Sequence, residues 1–371
     1  MQAVSNSIRL PGRLGNLRMR SISLLPGICL TGAIAILATE LCNGAWLQAH
    51  GISALTLAIV GGMIVGNTVY PRISALSAPG VLFSKQILLR AGIILFGLRL
   101  TFQDIGHVGA IGVVTDALVL SSTFVLAWWA GTRFFGLNRR TAILIGSGSS
   151  ICGAAAVMAT EPVVRASADE VCIAVATVVA FGTLAIFLYP ALYHLNEQLH
   201  LVSISAFSYG IFTGSTVHEV AQVVAAGKAV AESTANTAVI TKLVRVMMLA
   251  PFLVLLSAYL SRHKEDGGAA PAAAASWAHV IPWFALGFIA VAGFNSLALL
   301  PHAVVSTAIN VDTLILATAM AALGVSTQFS AIKKAGLKPL GLAAMLFGWL
   351  VVGGFAINAA VSALFGRSLG Q

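Results

Sequence analysis

The chain has 371 residues, of which 58% are hydrophobic and 9% charged, with 21 Lys plus Arg against 12 Asp plus Glu and a formal net charge of +9. So few charged groups cannot cover a core in water, where a soluble domain is about 25% charged, so a water-soluble globule is excluded and the bilayer is the solvent. Disorder, collagen and a disulfide scaffold fall away too, because the apolar fraction is high and Cys29, Cys42, Cys152 and Cys172 lie in or beside apolar segments.

A spanning helix needs about 20 largely apolar residues. Eleven such windows occur, near 24–42, 52–69, 86–102, 107–131, 141–160, 170–193, 206–226, 236–260, 279–300, 312–329 and 340–365. They predict an all-α polytopic membrane protein of about eleven transmembrane helices, one transmembrane domain over 1–371 with no separate soluble domain. Arg9, Arg13, Arg18 and Arg20 precede the first window as in a signal peptide, yet its apolar run is long and lacks a small-x-small cleavage site, so it reads as a retained span. The Ala- and Gly-rich stretch 265–276 reads as a flexible linker dividing the spans eight to three.

With the N-terminus cytoplasmic, alternate loops on that side carry Arg72 and Lys85, then Arg133, Arg139 and Arg140, then Arg262 and Lys264, then Lys333, Lys334 and Lys338. The opposite connections are poorer in Lys and Arg, holding Asp104, Glu161, Arg165, Asp169, Lys228, Glu232 and Asp312. This asymmetry predicts N inside and C outside. Because the basic residues fall between apolar segments, anionic headgroups account for them and nucleic-acid binding is excluded.

The stretch Gly97-Leu-Arg-Leu-Thr-Phe102 through Gly109 matches Gly324-Val-Ser-Thr-Gln-Phe329 through Gly336 at a constant offset of 227 (324 − 97), which also sends Gly66 to Gly293. Spans two to four thus recur as spans nine to eleven, and the offset of seven spans, an odd number, makes the partners antiparallel. Gly148-Ser149-Ser150-Ile151 likewise pairs with Gly214-Ser215-Thr216-Val217 at an offset of 66. Inverted repeats with interrupted helices are the construction of many secondary transporters. Spans five and seven would point the same way, which a strict inverted repeat forbids, so crossed broken helices and re-entrant hairpins both stay open.

Segment 145–156 concentrates Gly146, Gly148 and Gly153 with Ser147, Ser149 and Ser150 at membrane depth, where a helix should break. Unwound backbone survives there only if buried in protein or lining a cavity. A new half-helix N-terminus would offer free N–H groups and a positive dipole end, an anion cradle, against the alternative of close packing through small residues. Segment 210–222 repeats the break at Gly214, Ser215 and Thr216 and adds His218, Glu219 and Gln222. His218 and Gln222, four apart, would share a helical face. An intramembrane ionisable group is by default a functional candidate, so His218 and Glu219 are candidates for proton coupling. Lys242 and Arg245 lie three apart on one face of span eight, too deep for easy snorkelling, and suit a tetrahedral or carboxylate anion; an ion pair with Asp116 or Glu219 is the competing reading. Asp116, midway along span four, is either a coupling carboxylate or the counter-ion of Lys242. Arg90 and Arg99 read as interfacial anchors. The remaining histidines show no metal-ligand spacing, so no metal and no cofactor is assigned. There is no Walker A loop, Gly-x-Ser-x-Gly elbow or His-Glu-x-x-His, and no enzyme activity is expected.

Four segments together, G-S-G-S-S-I-C-G-A-A-A, G-S-T-V-H-E-V-A-Q, K-L-V-R-V-M-M-L-A-P and the late G-V-S-T-Q-F, resemble the YeiH-type family of bacterial inner-membrane proteins, to which sulfate export is ascribed. The resemblance runs from about Leu24 to Ala363. It implies a multi-span carrier distantly similar to bile-acid and sodium/proton transporters, in a bacterial inner membrane. Carried onto this chain, its matching positions are Ser149, Ser150, Cys152, His218, Glu219, Gln222, Lys242 and Arg245. The expected cargo is a small inorganic or organic anion such as sulfate, sulfite or a sulfonate, with a proton or sodium as coupling ion and membrane lipid as surroundings; a homo-oligomer stays open. The rival expectation is a cation/proton antiporter working through Asp116 and Glu219.

Overall fold

The computed structural model describes residues 13–42, 53–262 and 283–368, so the expected linker at 265–276 lies outside the described residues. Every regular element among them is helical: α1 (Arg13–Cys42), α2 (Ala54–Thr68), α3 (Tyr70–Arg99), α4 (Phe102–Arg133), α5 (Arg139–Ser150), α6 (Ala154–Val164), α7 (Ala168–Leu199), α8 (Ala206–Thr216), α9 (Val220–Lys228), α10 (Glu232–Arg262), α11 (Trp283–Ser296), α12 (His302–Ser326), α13 (Phe329–Lys334) and α14 (Leu337–Ser368).

Seven helices among the described residues are long and apolar enough to cross a membrane, α1 over Ser23–Cys42 and then α3, α4, α7, α10, α12 and α14, fewer than the eleven expected. Two windows, α2 and α11, are apolar but only 15 and 14 residues long. The third window begins at Tyr70 rather than near 86, since Val69 is itself helical (φ −90°, ψ −40°) and α2 passes into α3 without a loop. Polar side chains there hide in the helix; the Ser77 hydroxyl, for one, donates to Ile73 O at 2.7 Å.

The windows at 141–160 and 206–226 do not run straight through, and each is a helical hairpin. Helix α5 ends at Ser150 and α6 starts at Ala154; Asn138 at the entrance donates to Glu170 beyond the exit at 2.9 Å. Arg139, Arg140 and Arg165 line one cavity, so entrance and exit lie together. In the second hairpin, α8 ends at Thr216 and α9 starts at Val220. Thr234 donates to Ala206 O at 3.3 Å, and Gly227 sits against Ala235. Gly210 faces Thr234 and Thr237 while Gly214 faces Ala238 and Thr241, so α8 runs beside α10 in the same direction. Leu260, near the far end of α10, lines the cavity at the mouth of the first hairpin. The two hairpins therefore open toward opposite ends of α10.

Helix boundaries recur at the offset of 227. A helix stops at Arg99 and the next starts at Phe102; equivalently, one stops at Ser326 and the next starts at Phe329. Gly109, with φ 27° and ψ −126°, kinks α4, and its counterpart Gly336, with φ 86°, separates α13 from α14. Reciprocal contacts join these places. Asn67 at the end of α2 donates to Thr327 O (2.9 Å) and accepts from Phe329 N–H (3.1 Å), while at the end of α11 Asn295 donates to Leu100 O (3.0 Å) and Ser296 accepts from Phe102 N–H (2.8 Å). Gly92 faces Leu316 and Arg99 reaches Ile309, so α3 and α12 are antiparallel.

Candidate functional site at the hairpin tips

The tips meet on α10. Non-helical residues 151–153 and 217–219 form them, and Lys242 Nζ donates to Ile151 O at 2.7 Å and to Val217 O at 2.6 Å. Arg245, three residues on, donates through Nε to Ser150 O (2.6 Å) and through Nη2 to Ser149 O (3.3 Å). Both basic side chains are fully buried. Each first half-helix ends in unpaired carbonyls carrying a partial negative charge, and cations there satisfy the acceptors and offset the dipole. That explains how two positive groups survive without a carboxylate in direct contact.

This geometry corrects the expected cradle. Gly148, Ser149 and Ser150, like Gly214, Ser215 and Thr216, occupy the last turn of α5 and α8, and the groups that meet the basic pair are the carbonyls of Ser149, Ser150, Ile151 and Val217, not N–H groups. The hydroxyls of Ser215 and Thr216 donate back to Phe212 O at 3.1 and 2.5 Å. The helix N-termini at the tips face another group: Glu219 Oε1 accepts from Ala154 N–H at 3.4 Å, placing a carboxylate at the positive end of α6. Gln222 Oε1 accepts from Glu219 N–H at 3.0 Å. His218 and Gln222 do not share a helical face, because the chain is non-helical until Val220.

Around this junction several buried polar atoms have no hydrogen-bond partner: Arg245 Nη1, Ser150 Oγ, Thr213 Oγ1, His218 Nδ1, Gln222 Nε2 and both oxygens of Asp116. Asp116, on α4 and fully buried, interacts electrostatically with Arg245 and Lys242 but bonds to neither. The His218 ring stacks on Phe347 of α14 at 6.4 Å between centroids, and Cys152 is buried at the first tip. Among the described residues no group of three or more His, Cys, Asp and Glu side chains is placed to hold a metal ion.

Residues 26–343 match the family model described as "Conserved hypothetical protein 698". The chain belongs to this family. A UPF0324 membrane protein of Pseudomonas aeruginosa is 60% identical over 350 residues, covering 93% of this chain and 97% of that protein. The UPF0324 inner membrane protein YeiH of Escherichia coli K12 is 55% identical over 334 residues, covering 90% and 93%, and a UPF0324 membrane protein of Yersinia pestis is 57% identical over 336 residues, covering 90% and 92%. This chain is accordingly a membrane protein of the UPF0324 family, with relatives named as inner membrane proteins.

Sequence reasoning missed a second polar centre. Arg99, expected as an interfacial anchor, is largely buried and donates to Glu232 (2.7 Å), to Thr313 (2.8 Å) and to Asp312 (3.4 Å), joining α3, α10 and α12. Asp312, assigned to a loop, is fully buried within α12. An acid inside the apolar run V-D-T-L-I-L was the available signal.

Proposed function

We propose that this protein is a secondary transporter of a small anion and that the junction of the hairpin tips is its transport site. The observation that carries the reading is the set of buried donors without partners at or within a turn of the hairpin tips: Arg245 Nη1, Ser150 Oγ, Thr213 Oγ1 and Gln222 Nε2. Buried polar groups in folded proteins are nearly always hydrogen-bonded, so unsatisfied donors gathered at interrupted helices suit an exchangeable ligand. Arg245 is the ligand group, and Lys242 serves mainly to hold both tips in place. Sulfate or a related sulfur oxyanion or sulfonate fits a guanidinium flanked by hydroxyls. Export of a dianion is favoured by an inside-negative potential at about 2.3 kcal/mol per charge per 100 mV.

In this reading the hairpins are re-entrant from opposite membrane faces. The recurrence at 227 is an inverted repeat, supported by the antiparallel α3 and α12 and by the reciprocal Asn67 and Asn295 contacts. Folding both windows back leaves nine through-running helices and keeps the N-terminus cytoplasmic and the C-terminus periplasmic. It also moves Arg165 to the Arg-rich side with Arg139 and Arg140, which strengthens the charge asymmetry. Radiolabelled sulfate flux into proteoliposomes, compared with Arg245→Gln, tests the site; equal flux in the two would remove it.

One observation favours a second reading. Both oxygens of Asp116 are buried without a partner, as a proton- or sodium-carrying carboxylate would be between loads. Cation-dependent proton flux abolished by Asp116→Asn, with no response to anions, would select the cation/proton antiporter, with Glu219 as its second carboxylate.

A further inference from the structure

We propose a second site, independent of the first: the mouth of the α5–α6 hairpin binds the phosphate ester of an anionic phospholipid. A cavity of about 220 Å³ opens there between Arg139 and Arg140 at the start of α5 and Arg165 at the end of α6. Three arginines line it together with Ile143, Val163 and Leu260. The Nε of Arg139 is buried without a hydrogen-bond partner. Its guanidinium stacks on Trp128 at 5.1 Å, which fixes the fork beside the cavity, and Trp128 meets Tyr259 edge-on at 5.2 Å. Glu170, near the mouth, is engaged by Asn138 (2.9 Å) and by Ser167 N–H (2.7 Å), so it is committed elsewhere.

A phosphate ester is the chemistry these forks recognise, and it could come from a lipid or from a soluble molecule. The surroundings select the lipid. Trp129, Phe134 and Tyr259 are 60%, 76% and 39% exposed at this end of α4 and α10, as an aromatic belt at headgroup depth would be, and the apolar walls suit the start of an acyl chain. Basic pockets between transmembrane helices on the cytoplasmic side bind anionic headgroups. A headgroup seated here would bridge Arg140 and Arg165, the two ends of one hairpin, and hold its mouth closed while the tip works.

The full chain in nanodiscs of phosphatidylcholine, with or without phosphatidylglycerol, tests this by native mass spectrometry of retained lipid and by the midpoint of thermal unfolding. The wild-type protein should keep phosphatidylglycerol over phosphatidylcholine and unfold at a higher temperature with it. Arg140→Ala and Arg165→Ala should each weaken retention about fivefold. Arg133→Ala, an exposed arginine outside the cavity, should leave it unchanged. Equal retention of the two lipids by the wild type, or an equal loss in Arg133→Ala, overturns the site. Soluble glycerol phosphate displacing the lipid and raising the midpoint as much would assign the cavity to a soluble ester and overturn the lipid reading. The wild-type comparison decides even if a variant fails to fold.

Discussion

A Cβ placed on Gly153 would stand 2.5 Å from Cγ of Glu219, so the tip of one hairpin is moulded on a side chain of the other. Gly153 also adopts φ 75° and ψ −138°, a conformation that essentially only glycine occupies. Gly153→Ala should therefore cost about 2–3 kcal/mol, from strain plus the displaced carboxylate. The unfolding midpoint in mixed micelles would report it, and a change within error would show that the tips yield freely.

Lys242→Met removes a donor from two carbonyls at once. Each buried acceptor left unpaired costs about 1–3 kcal/mol, so a loss of about 2–6 kcal/mol is expected, enough to deplete folded protein in the membrane. Lys242→Arg, which keeps the charge, should recover part of it. Arg245→Gln keeps an amide N–H for one of the two carbonyls the guanidinium holds, so it should cost folding less than Lys242→Met while removing the unpartnered Nη1 and with it flux. Yield and transport measured on the three variants separate the structural cation from the ligand cation.

The two acids on Arg99 should rank against their distances. Glu232 is closer, at 2.7 Å, but its side chain is 53% exposed, whereas Asp312 at 3.4 Å is fully buried. Screening holds an exposed pair to about 0.2–1 kcal/mol. Losing the partner of a buried charge costs about 3–5 kcal/mol. Double-mutant cycles on Arg99 with each acid should give the larger coupling for Asp312; the reverse order would mean water reaches Asp312.

Equivalent glycines should behave alike. A Cβ on Gly97 would approach Phe288 O at 2.7 Å, and one on Gly324 would approach Ile59 O at 2.2 Å, each against the helix that precedes its counterpart's own. Alanine at either should cost about 2–3 kcal/mol by overpacking. Gly109 and Gly336 have positive φ and open space, so alanine there should cost the backbone strain alone, about 1–3 kcal/mol, with no overpacking. Unfolding midpoints that fail to sort into these two pairs would break the correspondence between the halves.

Hydropathy located almost every helix but not its direction. A window such as 141–160 holds enough apolar residues to span, and nothing in composition says that its ends meet, because that follows from Asn138 reaching Glu170 across 32 positions. The breaks were foreseen at the serines and fall just after them. Ser147 and Ser215 hand their hydroxyls to carbonyls three residues back, within a polar run that stays helical, and each helix stops where the backbone leaves the helical region at Ile151 and Val217. Lys242 and Arg245 were legible as buried charges; their acceptors were not, since backbone carbonyls leave no mark on a sequence. The pair of Arg99 and Asp312, 213 residues apart, was equally invisible, whereas the recurrence at 227 was legible because Gly97 and Gly324 each stand close to a backbone carbonyl of a neighbouring helix, where only glycine fits.

One nitrogen serves both sides of the molecule. Since the Lys242 ammonium is shared between Ile151 and Val217, a shift of α10 that releases one acceptor must drag or strand the other. A displacement of either hairpin tip is thereby registered at the other, and the two cannot part from the centre independently.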